Sequence, residues 1–175
     1  MVATDYLTKW PEAEAMKEAT AENVIGFIYE RIICRHGCPK VILSDRGTHF
    51  RNQIVNGLCE RFEIKHKLSS PYHPQTNGLV KRFNRTLCES LAKVSKKENE
   101  WDKNIESVLF VYRTIKHNTT KKTPFFMVYG REAILPIENI KSGKEFGDHA
   151  ITKRIYDLVK LTEERSQALE NIKKS

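Results

Sequence analysis

The chain has 175 residues, of which 39% are hydrophobic, and this length and composition are typical of one folded domain with a buried core. Its 30 Lys and Arg outnumber its 22 Asp and Glu, and the formal charge of +8 favours a polyanionic partner. Four cysteines without a CxxC pair argue against a disulfide scaffold, and the absence of an 18-residue apolar run argues against a membrane span.

The positive charge is concentrated in the middle of the sequence. Residues 1–60 carry 7 basic and 8 acidic side chains, residues 61–131 carry 15 and 6, and residues 132–175 carry 8 of each. The middle segment therefore has a net charge of +9, while the two flanking segments are close to neutral. A basic segment of this kind fits either a nucleic-acid-binding surface or a solvated, lysine-rich helix face, and charge alone leaves both open.

The first part of the chain predicts short strands around a helix. A short strand is expected within Met1–Leu7, and Lys9–Ala13 is expected to turn away from it. Thr20 is a candidate helix cap, and apolar residues at helical spacing predict a helix that stops at Gly37. The short apolar run Lys40–Ser44 predicts a buried strand.

The middle of the chain predicts three helices, a strand and a loop. A helix is expected over Asn52–Phe62 and a strand over Ile64–Leu68, whereas Ser69–Gly78 has the composition of a loop. A further helix runs from Leu79 to about Lys97. The last runs from Glu100 to about His117, and its expected buried residues are Trp101, Ile105, Val108, Leu109 and Tyr112.

The sequence divides into a domain over residues 1–135, a linker over 136–147 and an amphipathic helix over 148–175. Strands that alternate with helices predict an α/β domain. The apolar stripe of the last helix either packs on the chain's own core or pairs with a second copy, and we expect a homo-oligomer. The stripe consists of Ile151, Ile155, Leu158, Leu161, Leu169 and Ile172.

Two aspartates, Asp5 and Asp45, each follow a predicted strand. Carboxylates at strand ends can hold divalent cations through oxygen, as two-metal phosphoryl-transfer sites do. The alternative is structural: Asp5 opens a turn, and Asp45 caps the tight turn that ends at Gly47. Residue types and spacing leave both interpretations open.

Four motifs follow one another along the chain: Asp5-Tyr6-Leu7-Thr8-Lys9-Trp10, Ser44-Asp45-Arg46-Gly47-Thr48-His49-Phe50, Pro71-Tyr72-His73-Pro74-Gln75-Thr76-Asn77-Gly78 and Arg82-Phe83-Asn84-Arg85. Together they resemble the integrase catalytic core of gypsy-class long-terminal-repeat retrotransposons and retroviruses, over about residues 2–135. The resemblance implies a ribonuclease-H-like α/β fold, a mixed five-stranded sheet flanked by helices, followed here by the long C-terminal helix. Because Met1 lies four residues before Asp5, we expect the first strand to be clipped at the N-terminus.

The resemblance also implies DNA integration, in which two Asp and one Glu bind Mg²⁺ or Mn²⁺. In that family 35 residues separate the second Asp from the Glu, and after Asp45 this count reaches position 81, which is Lys81. An ammonium repels a metal ion and has no lone pair with which to coordinate it. The next acid, Glu89, lies about 12 Å further along the helix and is too distant to replace the missing carboxylate.

The resemblance places the loop before Gly78 and the helix after it against DNA ends. Basic side chains there would neutralise phosphates without reading sequence, and polar or aromatic ones would add hydrogen bonds or stacking. The residues expected to bind nucleic acid are Tyr72, His73, Gln75, Asn77, Lys81, Arg82, Asn84 and Arg85.

The sequence therefore predicts a nucleic-acid-binding integrase core that is catalytically defective. The positions of the catalytic set are Asp5, Asp45 and Lys81, and Asp5 with Asp45 would bind Mg²⁺ or Mn²⁺ weakly or not at all. The expected partners are DNA and a second copy in the nucleus, without a membrane or a small-molecule substrate. Two alternatives remain: an active metal-dependent strand transferase or nuclease, and a domesticated, non-enzymatic interaction module.

Overall fold

The structure, a computed structural model, describes residues 1–69, 78–95, 100–135 and 149–174, with the backbone alone described for 149–159. These residues form two compact units, which are described separately. The first contains Met1–Thr4 and Glu12–Leu109, and the second contains Asp5–Pro11 and Phe110–Ser175.

The described residues form four short strands and a larger number of helices, so the chain is of the mixed α/β class. The strands are β1 (Val2–Thr4), β2 (Pro11–Ala13), β3 (Val41–Ser44) and β4 (Lys65–Leu68). The helices are α1 (Ala21–Phe27), α2 (Cys34–His36), α3 (Gln53–Arg61), α4 (Gly78–Val94), α5 (Ile105–Thr114), α6 (Pro124–Tyr129) and α7 (His149–Lys174). A π-helical segment, Ile28–Ile33, joins α1 to α2, and a 3₁₀ turn, Asp102–Asn104, precedes α5.

The chain opens with a hairpin of β1 and β2, so the expectation that Lys9–Ala13 only turns away is wrong for Pro11–Ala13. The backbone N–H of Asp5 donates to the carbonyl of Trp10 at 2.9 Å. Lys9 has a left-handed φ of 62°, which reverses the chain direction just before β2. The reversal is therefore complete at Trp10, and the three residues after it can pair with β1.

The strand prediction at β3 and β4 is confirmed, and the two pair in parallel from Val41 opposite Lys65 to Ser44 opposite Leu68. Within the described residues the four strands form two sheets of two strands, so the single five-stranded sheet is not confirmed.

One face of the β3–β4 sheet is covered by α1 and α3. The core of this face consists of Val24, Ile28, Val55, Cys59 and Ile64, with Ile42 packed against it. On the opposite face Val41 and Leu43 remain 47% and 37% exposed, so the prediction of a fully buried strand is wrong. Because side chains alternate along a strand, an apolar run is buried on both faces only where both faces are covered.

The helix predicted after Thr20 is confirmed, since the Thr20 hydroxyl accepts the backbone N–H of Asn23 and Gly37 ends the helix at a φ of 86°. Acidic side chains of the hairpin segment pair with basic side chains of this helix. Glu12, only 3% exposed, contacts Arg35 at 3.0 Å and His36 at 2.7 Å.

Helix α4 packs an apolar face toward β1, as its periodicity predicts. Phe83, Leu87 and Leu91 are buried along this face. Ile105 and Leu109 are buried as expected, but Trp101 is 43% exposed and its predicted burial is wrong. The 3₁₀ turn between Trp101 and α5 changes the rotation per residue, so the helical period cannot be extended back to it.

The second unit is built around Trp10. Its ring lies 5.6 Å from that of Tyr129, and the Arg113 guanidinium stacks on it at 4.6 Å. Helix α6 begins at the Thr123 cap and ends at Gly130, whose φ is 70°.

Helix α7 packs on α6 within the same unit. Leu161, Ala168 and Ile172 are buried, whereas Leu169 of the expected stripe is 37% exposed. Arg165 donates to the Met127 carbonyl at 2.8 Å and so caps the end of α6. The earlier stripe positions Ile151, Ile155 and Leu158 lie outside the described side chains. No helix in the described part of the chain is both long and apolar enough to cross a membrane.

Candidate nucleic-acid interface

Asp5 closes the turn of the β1–β2 hairpin. Its Oδ1 accepts the backbone N–H of Thr8 at 2.7 Å and the Thr8 hydroxyl at 2.6 Å. Carboxylates that accept hydrogen bonds from residues two or three positions ahead stabilise tight turns. The geometry is the one expected from the structural alternative for Asp5, and its assignment as a metal ligand stays a prediction.

Asp45 follows β3 and also stabilises a turn. Its Oδ1 accepts the backbone N–H of Gly47 at 2.8 Å. A Cβ atom on Gly47 would lie 2.5 Å from the His49 ring and 3.0 Å from the Asp45 carboxylate. A side chain at position 47 would therefore require the His49 ring to shift, because the ring and the carboxylate both approach that backbone closely.

A buried hydroxyl supports the backbone at Asp45. The Ser44 hydroxyl donates to the Asp45 carbonyl at 3.0 Å and lies 2.9 Å from Nε2 of His66 on β4. With the hydroxyl proton used in this way, Nε2–H of His66 is the donor to Ser44. Burial lowers the pKa of His66, which favours this neutral ring. The sequence analysis did not single out this pair, although Ser44 begins the second motif and His66 lies on the adjacent strand.

A metal centre needs several converging donors, and the described residues do not provide one. Among them no group of three or more His, Cys, Asp or Glu side chains could hold a metal ion. Lys81 stands where the resemblance implies a Glu ligand, and an ammonium has no lone pair with which to coordinate a metal. The residues present therefore do not fit that two-metal centre, and we derive no catalytic step through a metal.

The exposed face of α4 carries the basic residues predicted to bind nucleic acid. Lys81, Arg82, Asn84 and Arg85 are all exposed, while Phe83 between them is buried. Lys81 and Arg85 are four residues apart and hence neighbours on the helix surface. Arg82 donates through Nε to the Gly78 carbonyl at 3.2 Å, so its charge is held at the start of the helix.

The rest of the predicted nucleic-acid set cannot be placed. Tyr72, His73, Gln75 and Asn77 lie outside the described residues. Just before them, Arg46 donates to the Ser69 carbonyl at 3.1 Å, a contact that the sequence analysis did not predict. A basic residue directly after the motif aspartate was the available signal.

Two family models match the chain. Residues 1–74 match one described as integrase core domain, and residues 62–117 match another with the same description. The two matches together span residues 1–117, which is more than half of the chain.

Curated relatives are polyproteins of transposons and retroviruses. The chain is 31% identical over 131 residues to the retrovirus-related Pol polyprotein from transposon 412 of Drosophila melanogaster, covering 74% of the chain and 11% of the relative. It is 36% identical over 132 residues to the Pol polyprotein of feline endogenous virus ECE1, covering 74% of the chain and 12% of the relative. The chain thus spans about a tenth of the length of these two relatives.

Solved integrase cores share the fold. The catalytic core domain of BIV integrase is 25% identical with a TM-score of 0.61, covering 73% of this chain and 82% of that one. The HTLV-2 integrase catalytic core domain, in complex with magnesium and in a trimeric form, is 23% identical with a TM-score of 0.56, covering 71% and 80%. Both have the ribonuclease-H-like fold. The chain therefore belongs to the integrase core domain family of retroviruses and retrotransposons.

Proposed function

We propose that this integrase core domain binds DNA through the exposed face of α4 and does not transfer DNA strands. The observation that carries the proposal is the composition of that face. Lys81, Arg82 and Arg85 are exposed in the first half of the helix, and no acidic residue precedes Glu89 on it. A helix face that carries cations and no anions attracts phosphates.

The binding expected from such a face is electrostatic and does not depend on base sequence. Each Lys or Arg that neutralises a phosphate releases counterions, so affinity falls steeply as salt rises. The net charge of +9 over residues 61–131, the segment that contains α4, supports the same electrostatic binding. We extend the proposal to a homo-oligomer that binds DNA in the nucleus.

The absence of strand transfer follows from Lys81. It takes the position at which the family has Glu, and an ammonium supplies positive charge where a metal needs a negative ligand. Asp45, whose Oδ1 is used by Gly47, would be left without that third donor.

Two assays on the unmodified chain test the proposal. Fluorescence anisotropy with a labelled DNA duplex should show binding that weakens steeply between low and physiological salt. An end-joining assay with Mn²⁺ should yield no joined product. Joined product from the unmodified chain would support the active transferase instead, and a failure to bind duplex at low salt would support a protein interaction module.

The Lys81→Glu variant distinguishes two possibilities. Either the site is disabled at position 81 alone, or the domain also lacks other catalytic residues. Joined product from this variant alone would show that position 81 by itself disables the site. No product from either protein, together with weaker DNA binding by Lys81→Glu, would show that α4 serves binding and that the catalytic set is incomplete elsewhere.

A further inference from the structure

Lys81 presents a primary amine on the exposed face of α4. Its side chain is exposed, and among the residues that the structure describes no hydrogen bond or ion pair engages its Nζ atom. The first acid of this helix, Glu89, lies more than two helical turns further on. No carboxylate of its own helix therefore holds the amine, which is accessible to a molecule bound at this face.

Two guanidinium groups lie beside this amine. Arg85 comes four residues after Lys81 and three after Arg82, so it is a neighbour of both on the helix surface, with Cβ atoms about 5–6 Å apart. Arg82 is held at the start of the helix by its hydrogen bond to the Gly78 carbonyl at 3.2 Å. Because both guanidinium groups stay charged, they can hold phosphates while the neighbouring amine takes part in a reaction.

The amine differs from the two guanidinium groups in its chemistry. An arginine in a protein is not deprotonated and has no lone pair to offer, whereas the uncharged form of a lysine adds to carbonyl carbons and forms Schiff bases. Coordination of a metal would need that uncharged form throughout the lifetime of the complex. Covalent capture does not, because the product accumulates.

The carbonyl group that DNA can offer is the aldehyde of an abasic site. Loss of a base leaves a deoxyribose whose ring-opened form carries an aldehyde at C1′, between two intact phosphates. Extrusion of a nucleotide from a duplex costs least where the base is damaged, so this aldehyde is more accessible than an intact sugar. The phosphates beside it are the groups that Arg82 and Arg85 would hold, next to Lys81.

We propose that Lys81 forms a Schiff base with abasic sites of DNA held by Arg82 and Arg85, and that it cleaves the strand there without a metal. The inference rests on the proposed DNA binding and adds a covalent reaction to it. The Nζ atom attacks C1′ to form a C–N bond, and the aldehyde oxygen leaves as water. The resulting iminium acidifies C2′–H.

Cleavage of the strand follows by elimination. Water takes the C2′ proton, and the C3′–O bond breaks with its electron pair leaving on the phosphate oxygen. A second water molecule then hydrolyses the iminium, which restores the lysine amine and leaves an unsaturated aldehyde on the cleaved strand. No oxidant or reductant is consumed.

Reductive trapping in EDTA tests the inference with two labelled duplexes. One contains a natural abasic site, and the other contains its tetrahydrofuran analogue, which has the same phosphates but no aldehyde. With sodium cyanoborohydride the first duplex alone should give a covalent protein–DNA adduct, and mass spectrometry of the digested adduct should locate it at Lys81. Adducts confined to other lysines, or no adduct from protein that is bound to the duplex, would overturn the inference.

Lys81→Arg keeps the charge and removes the primary amine. Lys93→Arg is the matched control, since Lys93 is exposed on the same helix, four residues after Glu89. Each protein is used at a concentration that saturates the analogue in fluorescence anisotropy. We expect Lys81→Arg to lower the yields of adduct and cleaved strand about tenfold, and Lys93→Arg to retain both. Equal yields from Lys81→Arg and the unmodified protein would overturn the inference, whereas a lack of salt-sensitive binding to the analogue would contradict the proposed function.

Discussion

Asp5 and Thr8 are joined by two hydrogen bonds that share one carboxylate oxygen, at 2.7 Å from the Thr8 backbone nitrogen and 2.6 Å from its hydroxyl. The pair closes the turn between β1 and β2. The first motif of the chain therefore has a structural explanation that requires no metal. A role for Asp5 as a metal ligand has to be tested against this structural role.

Asp5→Ala removes both hydrogen bonds and should lower the free energy of unfolding by about 1–2 kcal/mol. Asp5→Asn keeps an acceptor oxygen in the same place, so it should cost less than half as much. Urea unfolding in the presence of EDTA measures both effects. If the two variants lower the free energy of unfolding equally, and Mg²⁺ stabilises only the unmodified protein, Asp5 is a metal ligand.

Replacing Gly47 and Gly57 by alanine should change the stability of the protein in opposite directions. At Gly47 a Cβ would lie 2.5 Å from the His49 ring, so we expect Gly47→Ala to destabilise the protein by about 1–2 kcal/mol. Gly57 lies inside α3 with no atom within 4 Å of a built Cβ, so Gly57→Ala should stabilise it by about 0.5–1 kcal/mol. Thermal unfolding of the two variants checks the signs, and a stable Gly47→Ala would refute the close approach.

The stability of the protein should depend on pH through His66. Burial lowers the pKa of His66 below its ordinary value of 6.5, so the unfolded chain binds this proton more readily than the folded one. Stability from this group is complete above about pH 6.5 and decreases as the pH falls below it. The His66→Gln variant should not show this part of the decrease in stability at low pH. Urea midpoints at pH 7 and 5 measure it, and a pH-independent difference between the two proteins would contradict it.

Glu12→Gln should lower the free energy of unfolding, because the Glu12 carboxylate is buried and contacts the basic side chains of Arg35 and His36. Hydrogen bonds to charged groups contribute about 1.5–3 kcal/mol, and we expect a loss in that range. Glu100→Gln is the matched control, since its contact with Lys103 at 3.2 Å is exposed and should matter by less than about 0.5 kcal/mol. Chemical denaturation of both variants compares them, and equal losses would argue against the buried contact.

Sequence alone predicts the elements that have long periodic patterns or clear ends. The helix after Thr20 and helix α4 are examples, because spacing at 3.6 residues identifies the buried face. The three-residue strand β2 has no such pattern. It forms because Lys9 takes a left-handed conformation and brings the chain back to β1, which is a tertiary effect.

The candidate site shows the same division. The exposure of Lys81, Arg82 and Arg85 follows from helical spacing around Phe83 and could be predicted. The contact between Ser44 and His66 depends on the parallel register of two strands, which the sequence does not determine. The exposure of Trp101 depends on a 3₁₀ turn that interrupts the helical period.

The salt dependence of DNA affinity tests the central claim most directly. The logarithm of the association constant should fall linearly with the logarithm of salt concentration, by about 0.9 for each phosphate neutralised. Replacing Lys81, Arg82 and Arg85 together by alanine should therefore make the slope shallower by about 2–3 and weaken binding equally for all sequences. A triple variant with an unchanged slope and affinity would show that α4 does not hold the phosphate backbone.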